Sequence, residues 1–416
     1  MAKISASSTR LSLIVLEDCV FSPNGGILTT IIALVPELAH LCIHLVWVMP
    51  ESRISKRAAE LGQLRSLTYE ALHSPRWRKG WLSQTIASRL ERCIRWKAVE
   101  WITKALHKHA KTVRLKAIIK KHNITHVLNI GIFDQSYLEL SVPYFGIVYD
   151  TNYAKSWKRK CLDNLLNWTQ KADALFAISS WTRNEVIQID PSAAFKIYAV
   201  PLAVKFPSNS GRVQQERRDP EKLIFLYPAS FNPHKNHHVL LVALSKIFSE
   251  EYDFEMVFCG YNTEDMLSSR VLDDPTLEAT RAFLNSAPDE FRSCIHILGM
   301  VQERELESLF QSATHVLLPS RYEGFGLPLT EAVARGLPVL CSDIPPFREQ
   351  AEIYNIGKSV IFVDNSRPDS WTTAIRNLWI CKPSVAMTTA EAKQVLSKWT
   401  WADVACRYLE LIQDIK

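Results

Sequence analysis

Short apolar runs recur along the chain, each followed by a stretch with helical character. The first set is Leu11 to Leu16, Ile43 to Met49, His126 to Ile130, Tyr144 to Tyr149, Ala174 to Ile178 and Ile197 to Val200. A second set follows: Leu223 to Tyr227, Phe254 to Cys259, Ile295 to Leu298, His315 to Leu318, Val339 to Cys341 and Val360 to Val363. Alternation of this kind predicts parallel α/β sheets with helices on both faces. Between the sets, residues 206–222 read FPSNSGRVQQERRDPEK, a polar stretch with Pro, Ser and Gly that predicts an interdomain linker. The expected organisation is residues 1–205 as one doubly wound domain and 223–390 as a second. Residues 391–416 form a terminal helix approached through Trp399-Thr400-Trp401. Ligands of such domains belong at the strand C-terminal ends, in the cleft between them.

Composition agrees with two globular domains: 416 residues, 47% hydrophobic and 22% charged, exceed one ordinary core and leave no long disordered tail. The nine cysteines lie far apart with no C-x-x-C pair, which argues against zinc sites and a disulfide framework and for a reducing compartment. The run Leu11 to Leu16 is cut by Glu17 and Asp18, too short for a signal or membrane-spanning segment, so the expected location is the cytoplasm. No G-x-G-x-x-G follows a strand, which disfavours a dinucleotide oxidoreductase.

The densest chemistry lies in Pro319 to Pro346, PSRYEGFGLPLTEAVARGLPVLCSDIPP. Here a strand, His315 to Leu318, leads into the turn Tyr322-Glu323-Gly324-Phe325-Gly326, whose glycines allow a ligand close to the backbone. Pro328 suits the first turn of a helix, and Gly336 with Pro338 ends it. Free amides at the helix start attract oxyanions, and Glu323 and Glu331 are acceptor-only groups suited to sugar hydroxyls. Glu323, seven residues, then Glu331, wrapped around GFGLP, resembles the donor-site signature of the family-4 retaining glycosyltransferases, group 1. The resemblance covers most of residues 220–365 and the first domain thinly. It implies a GT-B fold, two Rossmann-like doubly wound domains facing across a cleft, and a nucleoside-diphosphate sugar donor, GDP- or UDP-linked. It also implies that Glu331 holds the ribose, and that Glu323 with the Tyr322 to Leu327 turn, including Gly324, Phe325 and Gly326, positions the sugar.

Other segments fit the same resemblance. After Leu223 to Tyr227 comes PASFNPHKNHHVLLVAL, with Lys235 at a helix opening, where a cation and oriented amides suit a diphosphate. Many relatives carry an arginine five residues earlier, where this chain has Ser230; a subset resembling bacterial mannosyltransferases shares the serine and the Lys-Asn pair. Gly25 and Gly26 follow the first strand and suit either a phosphate or a plain strand-to-helix turn. The family's backbone contact to the base falls on Val301. Tyr149 stands where many relatives have a histidine before Asp150, so either Tyr149 or Asp150 contributes or the histidine is dispensable; a structural strand-end acid is the plain alternative for Asp150. Ser179, Ser180 and Arg183 read as helix caps. His234, His237 and His238 lack further ligands at metal spacing, and Asp-x-Asp is absent, so no metal or other cofactor is expected.

Charge adds one partner. Residues 53–121 hold eighteen Lys and Arg against four Asp and Glu, together with Trp77, Trp81, Trp96 and Trp101. Cations mixed with tryptophan suit an anionic membrane surface, here the inner face of the cytoplasmic membrane; a solvated basic helix pair is the plain alternative. No nucleic-acid module accompanies the patch. The reading is a metal-independent, retaining hexosyltransferase, mannose the leading sugar, acting on a glycan or lipid-linked acceptor of cell-envelope polysaccharide synthesis. Lys235, Glu323 and Asp150 carry the chemistry, and domain closure accompanies donor binding. The alternatives are a GT-B epimerase or phosphorylase, or a non-catalytic nucleotide-sugar-binding protein.

Overall fold

The computed structural model describes residues 11–17, 26–61, 64, 66–72, 96–132, 137–152, 159–206, 222–365, 367–381 and 387–415. Gly25, most of the linker at 206–222 and the Trp77 to Trp81 stretch lie outside the described residues.

The first half runs β1 (Ser12–Leu16), α1 (Gly26–Leu41), β2 (His44–Met49), α2 (Glu51–Leu61), β3 (Leu67–Ala71), α3 (Trp96–Lys121), β4 (His126–Asn129), β5 (Tyr144–Val148), α4 (Arg159–Lys171), β6 (Ala174–Ala177), α5 (Ser180–Ile189) and β7 (Ile197–Ala199). Its strands form one seven-stranded sheet in the order β3-β2-β1-β4-β5-β6-β7, with every pairing parallel. The second half runs β8 (Leu223–Pro228), α6 (His237–Ser249), β9 (Phe254–Cys259), α7 (Pro275–Ser286), α8 (Asp289–Ser293), β10 (Ile295–Ile297), α9 (Glu303–Ser312), β11 (His315–Leu318), α10 (Leu327–Ala334), β12 (Val339–Ser342), α11 (Pro345–Ile353), β13 (Val360–Val363) and α12 (Pro368–Cys381). These strands form a parallel six-stranded sheet in the order β10-β9-β8-β11-β12-β13. In each sheet the chain starts centrally, at β1 or β8, and reverses direction of travel there. Such a reversal opens a crevice at the strand C-terminal ends.

The apolar runs form strands because helices cover both sheet faces: β2, β5, β6, β11 and β12 are buried along nearly their whole length. β3 has no such run and was not anticipated. It is an edge strand whose one buried residue is Glu70, so its side chains follow no continuous apolar pattern. Glu70 is held by Lys121 at 2.5 Å, His122 at 2.8 Å and Arg114 at 3.2 Å, which fixes the last turns of α3 to that edge. A buried carboxylate needs such partners.

The C-terminal segment differs from the single expected helix. It forms α13 (Thr389–Leu396) and α14 (Trp401–Asp414), separated by a short break. Thr400 and Asp403 build a capping box that restarts the helix, with Thr400 N–H donating to the Asp403 carboxylate at 2.7 Å. Beside it the Trp399 indole donates to the Pro201 carbonyl at 2.9 Å, which turns the chain back to the first half. α14 then packs along α1 and sets Tyr408 edge-on to Phe176 of β6, with ring centroids 5.0 Å apart. Tyr408 is fully buried. Tyr408→Ala is expected to cost about 3 kcal/mol or more in chemical denaturation, the range for emptying an aromatic core site. An unchanged unfolding midpoint would show that α14 does not close the first core.

Candidate active site

The turn between β11 and α10 is built on its glycines. Gly326 adopts φ 92°, and a Cβ there would lie 2.4 Å from Cε1 of Phe347. Only glycine fits both demands. Phe325 and Leu327 bury their side chains, and Gln350 donates to the Phe325 carbonyl, so the turn is anchored from below. Among the described residues, the amides of Phe325, Gly326 and Leu327 donate to no protein acceptor. Pro328 has no amide to offer, and α10 therefore begins with a small set of free donors of the kind that attracts oxyanions. Gly336, at φ 71°, ends the helix: Leu337 N–H reaches back to the Ala332 carbonyl at 3.1 Å.

Lys235 closes a 3-10 turn, Pro233–Lys235, after β8. Asn236 follows in the left-handed region at φ 56° and donates to the Pro319 carbonyl at 3.2 Å, while Tyr227 donates to the Lys235 carbonyl at 2.7 Å. These bonds lock the lysine beside the β11 turn, where its Nζ lies 2.6 Å from Oε1 of Glu323. Burial alone would raise the Glu323 pKa, yet the Lys235 charge and hydrogen bond hold it below the usual value. Ser230 accepts from Asn232 at 2.7 Å, and Gly260 approaches so closely that a Cβ would lie 2.5 Å from the Ala229 carbonyl oxygen. Gly260 N–H in turn meets the Gly299 carbonyl at 2.8 Å, next to Val301. The ends of β8, β9 and β10 thus form one continuous rim.

Glu331 lies on the second turn of α10. Its carboxylate accepts no hydrogen bond from any described residue; burial raises its pKa, Arg335 and Lys205 counter this, and Glu303 and Glu307 add to it. The two glutamates therefore have different surroundings, Glu323 beside Lys235 and Glu331 near Glu303 and Glu307 of α9. His234, His237 and His238 follow one another closely after β8. His237 sits among Tyr227, Phe231 and Phe258, its pKa lowered to about 3 by burial, and no group of three possible ligands occurs among the described residues.

The first half meets this site at the end of β5. Tyr149 is buried and belongs to the apolar core cluster. Of the two residues considered in place of histidine, Asp150 is the one facing Glu323, Glu185 and Lys235. Asp150 accepts from Asn152 N–H at 2.9 Å and keeps some solvent access, but protein atoms crowd its carboxyl. Burial raises its pKa to about 7, helped by the charges of Glu323 and Glu185 and opposed by the Asn152 amide and Lys235.

Several contributors were not visible in the sequence. A Cβ on Gly324 would lie 1.8 Å from the Tyr149 carbonyl oxygen, so the two halves touch backbone to backbone. Ser179 caps α5 by accepting from Thr182 N–H at 2.9 Å, as expected, but its hydroxyl also donates to the Gly324 carbonyl at 2.6 Å, joined by Thr182 at 3.1 Å. Glu349 of α11 accepts from Ser180 and Trp181 N–H at 2.6 and 2.9 Å. Arg183 instead donates to the Ile197 carbonyl at 2.9 Å. Tyr322 points its hydroxyl across the boundary, accepting from Thr151 N–H at 3.0 Å and donating to Glu185. No spacing rule links residues so far apart in sequence.

Because Asp150 has a raised pKa in the fold, the unfolded chain is the more ionised state between the two pKa values. Stability from this group falls as pH rises through that window. Asp150→Asn, whose amide oxygen can still accept from Asn152, is expected to raise Tm above wild type at about pH 8 and to lose that advantage by about pH 4. A pH-independent difference would contradict the raised pKa.

Residues 212–395 match the family described as Glycosyl transferases group 1. The O-antigen chain mannosyltransferase RfbU of Salmonella typhimurium is 29% identical over 163 residues, 39% of this chain and 40% of that protein. The O-antigen chain mannosyltransferase B of Escherichia coli is 27% identical over 186 residues, 43% of this chain and 45% of that protein. The matched stretch thus spans less than half the length of these relatives. Among solved structures, Anabaena Alr3699/HepE in complex with UDP and glucose superposes with TM-score 0.68 at 12% identity, covering 97% of this chain and 100% of that one. At that identity the likeness concerns the fold. With two parallel sheets facing across a crevice and this match over the second, the chain carries a glycosyl transferases group 1 domain in a GT-B fold.

Proposed function

We propose that the protein is a retaining glycosyltransferase that moves a hexose, mannose by preference, from a nucleoside-diphosphate sugar to a glycan or lipid-linked acceptor of envelope polysaccharide synthesis. The observation that carries this reading is the placement of Lys235 and the free α10 amides on one side of the crevice with Asp150 opposite. In the transfer, the bond from the anomeric carbon to the diphosphate breaks and a bond to the acceptor oxygen forms on the same face. The barrier lies largely in the leaving diphosphate, so groups that stabilise its charge matter most. Lys235 and the amides of Phe325 to Leu327 serve that purpose. Once a diphosphate arrives, it shares the lysine that in the ligand-free site neutralises Glu323.

Glu331, with its acceptor atoms uncommitted, holds the ribose hydroxyls, and Val301 offers its backbone to the base. The Gly25-Gly26 pair, read from the sequence, is assigned to a donor phosphate. Glu323 and Asp150 accept from sugar hydroxyls. The acceptor proton passes to a donor phosphate oxygen, which requires no histidine at position 149 and no metal. GDP is the expected nucleotide, with UDP the alternative.

A specific observation favours a second reading. Tyr149 stands where many relatives carry a histidine, and its side chain is buried with its carbonyl against Gly324, so a non-catalytic nucleotide-sugar-binding protein is the competing proposal. Donor binding with neither transfer nor hydrolysis across many acceptors would select it.

The membrane partner rests on residues 53–121. On α3, Leu106 and Val113 are exposed, as are Lys108, Lys116 and Lys120. Among the described residues no helix is long and apolar enough to cross a membrane. We propose peripheral attachment to the inner face of the cytoplasmic membrane. Flotation with anionic vesicles at low salt is expected to carry the protein; its absence from the floating fraction would rule out this attachment.

Calorimetry against UDP, GDP, ADP and their sugar conjugates is expected to find GDP binding tightest. Lys235→Ala and Glu331→Ala are each expected to lower kcat/KM about tenfold or more, the scale of a lost charge-assisted contact. Full activity in either folded variant would remove that residue from the donor site.

A further inference from the structure

One buried carboxylate has no part in the chemistry proposed above. Glu185, 2% exposed on α5, accepts from the Thr151 hydroxyl at 2.7 Å and from the Tyr322 hydroxyl. The same Tyr322 oxygen accepts from Thr151 N–H at 3.0 Å. Thr151 adjoins Asp150, and Tyr322 adjoins Glu323. The one carboxylate therefore ties together the neighbours of two acids that approach each other from opposite halves of the molecule. Thr151 is itself buried, so the three groups meet where water competes poorly and charge-assisted hydrogen bonds are strong.

The rest of α5 reinforces this point. Ser179 and Thr182 hold the Gly324 carbonyl, and Glu349 seals the first α5 amides from the other half. α5 thus grips the donor turn on both sides of Glu323. Its own fold does not require that grip, since the Ser179 cap and the Arg183 bond to Ile197 lie within the first half.

We propose that Glu185 is a positioning residue which, through Tyr322 and Thr151, sets the spacing between Glu323 and Asp150 across the crevice. The inference rests on the transferase reading for its catalytic consequence, while its geometry stands apart from that reading. Removing the Tyr322 hydroxyl frees the Glu323 end of the turn, whose Gly324 end Ser179 and Thr182 still hold, and lets Glu323 shift away from Asp150. Substituting Gln for Glu185 keeps an oxygen that can accept both hydroxyls and removes only the charge.

The first arm of the test uses the full-length ligand-free protein and follows the Asp150 carboxyl by carbon-detected NMR titration. The groups acting on it are Glu323 from the β11 turn, Glu185 from α5, Lys235 from the turn after β8 and the Asn152 amide, and it acts in turn on the Tyr322 hydroxyl. Wild type is expected to titrate at about 7. Tyr322→Phe removes no charge, yet the Asp150 pKa is expected to fall because Glu323 retreats and water enters. In X-ray scattering the same variant is expected to be more open than wild type. A Tyr322→Phe protein with the wild-type Asp150 pKa and scattering profile overturns the proposal.

The second arm measures turnover of GDP-mannose by GDP release. Glu185→Ala and Tyr322→Phe are expected to lower kcat about tenfold with donor KM within about threefold, and Glu185→Gln to retain most of the rate. The double variant Glu185→Ala/Tyr322→Phe is expected to cost no more than Glu185→Ala alone, because both act through one link. Additive losses would overturn that link. A folded wild type that neither binds nor turns over the donor defeats the transferase reading, and the titration and scattering arm then still decides the role of Glu185.

Discussion

The arrangement of the molecule depends on one close approach. Gly324 lies against the carbonyl of Tyr149 at a distance that leaves no room for a β-carbon, so the turn between β11 and α10 and the end of β5 in the other sheet meet backbone to backbone. Hydroxyls and carboxylates then converge on the contact because its polar backbone groups need partners once water is excluded. Ser179 and Thr182 satisfy the Gly324 carbonyl, and Glu349 satisfies two amides at the start of α5. The contact is polar and local, as interfaces between domains of one chain commonly are.

That approach also determines the electrostatics. Asp150, Glu185 and Glu323 are brought near Lys235 in a buried site, and among the described residues Lys235 is the cation that acts on both Asp150 and Glu323. Lys235 pairs with Glu323, Glu185 accepts from hydroxyls, and Asp150 has its pKa raised chiefly by burial, with the charges of Glu323 and Glu185 adding to it. Such crowding costs stability, and perturbed groups of this kind cluster at functional sites.

The second half supplies donors and acceptors along one line: free amides at the head of α10, Lys235 beside them and Glu331 farther along the helix toward α9. The first half supplies the opposite wall. Its core is completed by the last helix, since α14 crosses back over α1 and inserts Tyr408 against β6. The chain thereby passes between the halves a second time, and Trp399 anchors that crossing at Pro201.

Much of this was legible from local pattern. Continuous apolar runs identified twelve of the thirteen strands among the described residues, because strands covered on both faces admit little else, and β3 escaped because its burial is carried by Glu70. The acidic pair around Gly324 and Gly326, and Lys235 at a helix opening, were readable because turn and helix-start chemistry is local in sequence. The break at Thr400 was also written locally, in a capping box, but helical periodicity on both sides obscured it. What only the tertiary structure decided was which groups face each other. Tyr149 turns into the core while Asp150 meets Glu323, and Glu185 pairs with Tyr322 at a separation of 137 residues. Sequence periodicity specifies the face of an element, but the partner across a cleft depends on how two separately folded sheets dock.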